Sequence, residues 1–483
     1  MVKLLGLRIG EHDSNLSYFD GKKVHYLKYE RKYQIKHYGL EPINQWEDIL
    51  EEHFNIRSKD LDEVALVFDS WMYGFDTRNE SFFPNIPYNN FPSNCNVTRI
   101  NHHYAHHLSC WPLIKNPKKY RGICIDGFGD YDNSWTVFDI DRITHQGSVT
   151  KNGSIGVGMS SLYKLFNIRG HELDIAGKIM SYQSLGEIDN NYLFYLNKFN
   201  MNDIAFIFNP IYYNNKWSDK LNWLRTIHHY LGEVILQYCK EHFNENESFL
   251  YTGGVALNVC WNTKLKQFFK NIIIPPHTSD EGLSLGALEF LRIKNNLPQF
   301  NLENFPFCQS DEAPDTVPNQ KIIKEVTSLL KKQKIIGWYQ GHGEIGPRAL
   351  GNRSILADPR DREMKNKVNL IKKREEYRPF GCSTIDQEFS NSPFMLYAEN
   401  LNTNKYPSIS HIDRTCRHQK VGVNNCFYDL LKSFKNETDC GTLLNTSLNI
   451  DGKPLASYKK DAFDILENSE LYGLVYGNEL YLK

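Results

Sequence analysis

Residues 341–359 read Gly-His-Gly-Glu-Ile-Gly-Pro-Arg-Ala-Leu-Gly-Asn-Arg-Ser-Ile-Leu-Ala-Asp-Pro and follow a short apolar run, Ile335–Tyr339. The apolar run predicts a buried strand. Arg348 and Arg353 stand among Gly343, Gly346 and Gly351, where the backbone can approach a ligand closely. A guanidinium grips carboxylate or phosphate through two parallel hydrogen bonds. A second cationic segment follows, with Lys365, Lys367, Lys372, Lys373, Arg374 and Arg378. Charge gathered around glycine turns points to a pocket for a small, strongly anionic substrate. The bland alternative is a solvated basic loop and helix, which the glycine setting of the two arginines disfavours.

The chain is 483 residues long, enough for two or three domains. Hydrophobic residues make up 41% and charged residues 23%, the balance of a soluble globular protein. A formal net charge of −1 excludes a global basic field for nucleic acid or an anionic membrane. The ten cysteines are scattered with no Cys-x-x-Cys pair, which suits reduced thiols better than a disulfide frame or zinc ribbon. No apolar run is long enough for a transmembrane helix and the first ten residues lack a signal-peptide core, so the expected location is cytoplasmic.

Strands are expected at Leu4–Ile9, Leu16–Phe19 and Lys22–Tyr29, joined by a polar turn over Gly10–Asn15 and a hairpin signal at Asp20-Gly21. A helix over Asn44–Phe54 and strands at Val64–Phe68, Gly122–Asp126 and Trp135–Phe138 follow. Ser160–Phe166 reads as a short helix. Leu221–Tyr238 reads as a long amphipathic one, with Leu224, Ile227, Leu231, Val234 and Tyr238 on its stripe. Phe249–Tyr251 and Ile272–Ile274 are short strands, each before a loop and helix. Asn295–Pro318, rich in Asn, Pro and acidic residues, is the linker candidate. The C-terminal part opens with a helix at Ile322–Lys332. Two strand-rich halves around a cleft, then a smaller α/β unit, fit an actin-like nucleotide-binding fold among other α/β arrangements.

His102 and His106 are four residues apart, so one helical turn would place both imidazoles on one face, as metal ligands often are. His103 and His107 repeat the spacing facing elsewhere. Asp126, at the end of a strand, and Asp280, at a strand-to-helix junction, would complete a two-His, two-Asp set with open positions for substrate oxygens. Each aspartate also has an ordinary reading, a solvated loop carboxylate for Asp126 and a helix N-cap for Asp280. Gly253, Gly254 and Asn258 lie in a strand-to-helix turn that suits nucleotide phosphates or is a plain connection. Gly177-Lys178 offers a phosphate-reaching lysine or a surface one. Asn445–Asn449 offers anion donors or an Asx turn. Neither a Walker A motif nor a kinase glycine loop is present.

Taken in order, these segments resemble one family, the O-carbamoyltransferases that include the tobramycin and nodulation-factor carbamoyltransferases. The resemblance covers nearly the whole chain. It rests on Gly10–Ser14, Glu30-Arg31 with Lys36-His37, His102-x-x-x-His106, Asp126-Gly127, Gly177-Lys178, Gly253–Asn258, Ser279-Asp280 and Gly282. The C-terminal part adds Gly346–Asp358, Arg374–Phe380, His411 with Arg417-x-Gln419, and Asn445–Asn449. The resemblance implies an actin-like α/β domain over residues 1–300, with subdomains of about 1–145 and 146–300, a linker at 301–320, and a YrdC-like α/β domain over 321–483.

It also implies chemistry. Carbamoyl phosphate and ATP would form carbamoyl-adenylate in the C-terminal domain, and an acceptor hydroxyl would then attack the carbonyl in the metal-bearing cleft. His102, His106, Asp126 and Asp280 would hold a divalent ion, iron(II) in this fold group. Gly127, Lys178, Gly253, Gly254 and Asn258 would face nucleotide. Arg348, Arg353, Lys367, Arg378 and Asn449 would contact carbamoyl phosphate or ATP. His12 and Asp13 are candidates for removing the hydroxyl proton, although Asp13 equally suits a turn-stabilising role. No membrane partner is implied, nucleic acid enters only as an acceptor, and a homodimer is left open.

The chain departs from the family pattern in being short, in lacking a Gly-Pro element near Phe307–Asp315, in the polar run after Lys178, and in His107 where a small residue is usual. Those differences bear on the acceptor. A sugar or other small molecule leads. A hydroxymethylated pyrimidine, free or in phage-type DNA, comes next, with Tyr73, Phe82, Phe83, Tyr88 and Phe91 able to stack a base. Threonylcarbamoylation of tRNA and a non-catalytic actin-like binding module are the readings from other classes.

Overall fold

Strand β1 (Leu4–Ile9) is buried at all six positions, because strands flank it on both edges and a helix covers one face. A Cβ on Gly6 would stand 2.1 Å from the Ser284 carbonyl oxygen, so the helix Leu283–Lys294 packs directly on the strand backbone. β1 pairs antiparallel with β2 (Asn15–Phe19), which pairs antiparallel with β3 (Val24–Lys28). On the other edge β1 runs parallel to β4 (Glu63–Phe68), and β4 to β5 (Asn96–Arg99). In this computed structural model residues 2–40, 45–68, 96–208, 219–423 and 425–483 are described. Tyr73, Phe82, Phe83, Tyr88 and Phe91 lie outside them.

The second sheet repeats the plan. β6 (Arg121–Ile125) is central, antiparallel to β7 (Asn133–Asp139), which pairs antiparallel with β8 (Arg142–Ser148). Parallel to β6 on its other edge runs β9 (Ser248–Thr252), and beyond it β10 (Asn271–Ile273). The two five-stranded orders, β3-β2-β1-β4-β5 and β8-β7-β6-β9-β10, are therefore one topology used twice. This duplication is the actin-like α/β arrangement the sequence suggested. Ligands of open α/β sheets gather at the carboxyl ends of strands. Those ends here carry His12 and Asp13 after β1, Asp126 after β6 and Gly253 after β9.

The chain divides into two compact units, residues 1–30 with 37–305, and residues 31–36 with 306–483. The second unit is built on an eight-stranded mixed sheet. Its strands are β11 (Ile336–Tyr339), β12 (Arg353–Ala357), β13 (Gly381–Thr384), β14 (Ala398–Asn400), β15 (Thr415–Lys420), β16 (Thr442–Ser447), β17 (Gly473–Tyr476) and β18 (Glu479–Leu482). Their order across the sheet is β14-β15-β13-β16-β12-β11-β17-β18. The helix Gln320–Lys331, capped by Asn319, buries Ile323, Val326, Thr327 and Leu330, the three- and four-residue spacing of one helical face.

Most expected elements fall within two residues of those observed. The short helix expected over Ser160–Phe166 is instead two pieces, Ile155–Ser161 and Tyr163–Phe166, meeting at Leu162. The irregular stretch read as a linker belongs to both units: up to Phe305 it is part of the first, where Gln299 donates to the Trp111 and Ile114 carbonyls, and from Pro306 it is part of the second. There Gln309 donates its backbone N–H to Gly343 at 3.2 Å, and Asp311 pairs with Arg353 at 3.0 Å. Irregular backbone is what its composition encodes; what it packs against is set by distant residues. Among the described residues no helix is long and apolar enough to cross a membrane.

Candidate active site

The helix His102–Ser109 starts at Asn101, whose side chain accepts the Tyr104 N–H and caps it. Its pitch puts the His102 and His106 rings 5.0 Å apart, centroid to centroid, on one buried face. His106 Nε2 lies 2.8 Å from Asp126 Oδ2 and 3.4 Å from Asp280 Oδ1. The matching distances from His102 Nε2 are 3.6 and 3.3 Å. Four ligand atoms thus lie within 4.8 Å of one another, all on buried residues.

The carboxylates are oriented for this. Asp126 accepts the Gly127 N–H on Oδ1 at 2.7 Å and turns Oδ2 to the histidines. Asp280 takes Arg8 on Oδ2 at 3.0 Å and turns Oδ1 inward. His102 Nε2, His106 Nε2 and Asp126 Oδ2 are buried and close, yet make no aligned hydrogen bond. Polar atoms left so in a protein interior are costly, and converging donors of this kind fit a cation.

Electrostatics point the same way. Burial opposes charge on His102, but Asp280 and Asp126 outweigh it and raise its pKa to about 10. Burial likewise disfavours charge on Asp126 and Asp280, yet the histidines, and for Asp280 also Arg8, hold both well below the usual carboxylate range. The pair of carboxylates demands positive charge, which a divalent ion would supply with both imidazoles neutral. Two nitrogen and two oxygen donors suit first-row divalent metals. His103 and His107 belong to the core. His103 Nδ1 bonds Thr136 Oγ1 at 2.8 Å and His107 Nε2 bonds the Ile140 carbonyl at 2.7 Å. Burial pushes their pKa values down to about 3 and about 4.

Beside this cluster His12 Nδ1 lies 3.2 Å from Asp13 Oδ2 and 3.9 Å from Asp280 Oδ2. Lys28 Nζ stands amid Asp13 at 3.5 Å, Glu30 at 2.9 Å and Glu281 at 2.5 Å. Burial would raise the Asp13 pKa, but Lys28, His12 and His37 hold it well below the ordinary value. Gly253 has φ +90°, and a Cβ there would meet the Ile125 carbonyl oxygen at 2.2 Å. A Cβ on Gly254 would stand 3.0 Å from Asp126 Oδ1, so the turn abuts the metal-ligand candidates. Asn258 is committed elsewhere. It caps the helix Val259–Phe268 through Cys260 and Trp261, and its amide meets His228 Nε2 at 3.0 Å. Lys178 Nζ donates to the Arg169 carbonyl at 2.6 Å on an exposed surface.

In the second unit the arginines of residues 341–359 differ in fate. Arg353 is fully buried and uses all five N–H donors inside the protein, on Ala456, Gln340, Asn352, Asp311 and Glu312. Its guanidinium also stacks 3.5 Å from the Tyr339 ring centroid. It holds the loop together and has no donor left for an anion. Arg348 is half-buried. Lys367 pairs with Asp361 on the surface at 2.9 Å. The Asn449 amide is bonded to Lys372, Ser447 and Lys453.

A stronger cationic group lies nearby and was only half visible in the sequence. Lys372 is buried, its Nζ bonded to Ser447 and Asn449 oxygens, including the two backbone carbonyls at 2.7 and 2.8 Å. Arg374 donates to the Pro379 carbonyl and stacks on Phe380. Among the described residues, neither of these nor Arg417 forms an ion pair with a carboxylate. Burial, with Arg374, Arg378 and Lys36 nearby, holds Lys372 well below the ordinary lysine pKa. Burial with Arg378 and Arg417 does the same for Arg374, and burial beside Arg378 lowers Arg417 to about 10. Arg378 pairs with Glu375 at 3.3 Å. Buried cations that depress one another in this way, with Glu375 and Asp451 offsetting them only in part, are the kind of group an anion would stabilise. The Lys372–Arg378 run was its sequence signal. That Arg417 joins it depends on β15 pairing with β13.

Two family models match this chain, the carbamoyltransferase N-terminus over residues 90–288 and the carbamoyltransferase C-terminus over residues 327–483. The chain belongs to the carbamoyltransferase family. The two matches place the histidine–aspartate cluster in the first region and the cationic group in the second. Nodulation protein NolO of Bradyrhizobium diazoefficiens is 34% identical over 267 residues, 48% of this carbamoyltransferase chain and 48% of the relative. The 3'-hydroxymethylcephem-O-carbamoyltransferase of Streptomyces clavuligerus is 29% identical over 269 residues, 52% of each chain. An uncharacterised protein of Methanocaldococcus jannaschii, MJ1058, is 28% identical over 436 residues, 76% of this chain and 70% of its own. The chain spans about half the length of most of the known relatives it matches.

Proposed function

We propose that this carbamoyltransferase is an ATP-dependent O-carbamoyltransferase with two sites. The observation that carries this is that the chain holds a four-ligand cluster in the first unit and, in the second, a buried cationic group whose Lys372, Arg374 and Arg417 form no ion pair with a carboxylate among the described residues. In the second unit, whose fold the family resemblance implies to be YrdC-like, Arg374, Arg378 and Arg417, with Arg348, bind the phosphates of carbamoyl phosphate and ATP, and Lys372, its donors taken by Ser447 and Asn449, adds positive charge behind them. There water cleaves carbamoyl phosphate to carbamate and phosphate, and a carbamate oxygen then bonds to the α-phosphorus of ATP as the bond to pyrophosphate breaks, giving carbamoyl-adenylate. Adenylation gives the poorly electrophilic carbamoyl group a good leaving group.

In the first unit His102, His106, Asp126 and Asp280 hold a divalent ion, iron(II) by the family resemblance. Bound there, it supplies Lewis acidity toward a phosphate or carbonyl oxygen. The acceptor hydroxyl oxygen forms its bond to the carbamoyl carbon, the bond from that carbon to the adenylate oxygen breaks, and the hydroxyl proton goes to His12, oriented by Asp13. The Gly253-Gly254 turn, which abuts Asp126, would face the adenylate in this reading. The 3'-hydroxymethylcephem-O-carbamoyltransferase relative supports a hydroxyl acceptor on a small molecule, and the family resemblance adds a sugar. A panel of sugars, nucleosides and hydroxymethylated DNA, screened by mass for carbamoyl gain with carbamoyl phosphate and ATP, tests the reading. Carbamoylation of any hydroxyl in an ATP-dependent manner bears it out, and turnover to ADP alone refutes it.

A further inference from the structure

His37 and Asp13 face each other, and both adopt left-handed backbone conformations, φ +54° and φ +51°. For residues with a Cβ this costs about 1–2 kcal/mol each, and such strain persists where surroundings fix it. The surroundings of His37 are specific. Its Nδ1 lies 3.3 and 3.4 Å from the two Asp13 oxygens, and its Nε2 lies 3.4 Å from Asp174 Oδ1 in the helix Glu172–Tyr182. The ring stacks on His171 with centroids 4.6 Å apart, and the His37 N–H donates to Glu30 Oε2 at 2.9 Å. Lys28 stands behind Asp13 at 3.5 Å and His12 beside it at 3.2 Å.

With a carboxylate on each ring nitrogen, His37 satisfies both only as the imidazolium. Burial resists that charge, but Asp13 and Asp174 prevail and raise its pKa to about 9. The chain His12–Asp13–His37–Asp174 therefore runs from the side of the ligand cluster to a partly exposed aspartate.

We propose that His37 is a positioning residue for the transfer step, tying the Asp13 turn to the helix Glu172–Tyr182 and holding Asp13 against His12. This rests on the two-site reading, in which His12 takes the acceptor proton. His12 Nδ1 faces Asp13, so the other ring nitrogen is the one left to accept that proton. Loss of the His37 proton breaks one of its two ties.

The test uses the full chain loaded with zinc or iron(II), wild type beside His37→Gln and Asp174→Asn. The Asp174 side chain is 27% exposed, so that variant removes the outer tie at a surface position. Hydrogen exchange followed by mass spectrometry should show faster exchange over residues 171–182 and 11–15 in both variants. With the first acceptor carbamoylated in the panel, His37→Gln should lower kcat about 100-fold while the acceptor KM stays within about twofold. The wild-type fall in kcat above about pH 9 should be absent in that variant. Unchanged exchange in both variants overturns the tie, and an unchanged kcat in His37→Gln overturns the positioning role. If wild type carbamoylates nothing in the panel, the two-site reading fails, and exchange alone still decides whether His37 ties the helix.

Discussion

Arg8 holds Asp280 by one oxygen, Oδ2 at 3.0 Å, and so leaves Oδ1 directed at His102 and His106. Arg8 is fully buried, one residue before the end of an otherwise apolar strand. A buried guanidinium needs a carboxylate, and a carboxylate so anchored cannot rotate away from the ligand cluster.

Replacing Arg8 by Met should therefore weaken metal binding although Arg8 is not a ligand. Losses of about 10- to 100-fold follow removal of such supporting groups. Titration of the metal-free chain with zinc, read by calorimetry, checks this. Affinity equal to wild type would mean that Asp280 is oriented by something else.

The cationic group in the second unit predicts a stabilisation by anions. Pyrophosphate or carbamoyl phosphate at about 100 times its Kd should stabilise the second unit by about 2.7 kcal/mol, seen as a higher thermal midpoint. Lys372 has a depressed pKa because of burial and its cationic neighbours, and a bound anion favours its charged form. Anion affinity should therefore rise as pH falls. Lys372→Met should remove that pH dependence and most of the thermal shift.

Gly253 sits at φ +90° with the Ile125 carbonyl oxygen 2.2 Å from a would-be Cβ. Gly253→Ala should destabilise the first unit by about 1–3 kcal/mol from backbone strain, before any clash is counted. Urea unfolding followed by tryptophan fluorescence measures it.

Much of the first unit was legible because its signals are local. The four-residue spacing of His102 and His106, and carboxylates at the ends of a strand and a loop, could be read without knowing what they meet. Arg8 and Lys28 were missed as site residues although each is a buried cation in a strand, because their partners Asp280 and Glu281 are more than 250 positions away. Arg353 was read as an anion contact from its glycine setting. Its acceptors come from Asp311, Glu312 and Ala456, distant in sequence, and no local pattern announces them. Arg417 reaches the cationic group only through strand pairing. Local chemistry is written in the sequence, whereas the sharing of charge between distant strands is set by topology.

Glu289 offers a stability test away from both sites. It is fully buried, with Oε1 on Arg292 at 2.7 Å and Oε2 without a hydrogen bond. Burial outweighs Arg292 and raises its pKa to about 7. Between its ordinary value of 4.5 and about 7 the folded chain keeps a proton that the unfolded chain has lost. Stability should therefore fall as pH rises through that window, by up to about 3 kcal/mol. Glu289→Gln should flatten this dependence and be the more stable form at about pH 8, as judged from urea midpoints.

The central claim, activation in one unit and transfer in the other, is tested most directly by pyrophosphate release from carbamoyl phosphate and ATP. His106→Ala should release pyrophosphate like wild type yet transfer no carbamoyl group to acceptor, and Arg348→Ala and Arg374→Ala should lose the release itself. Pyrophosphate release abolished in His106→Ala but intact in both arginine variants, or ADP formed in its place, would contradict the account.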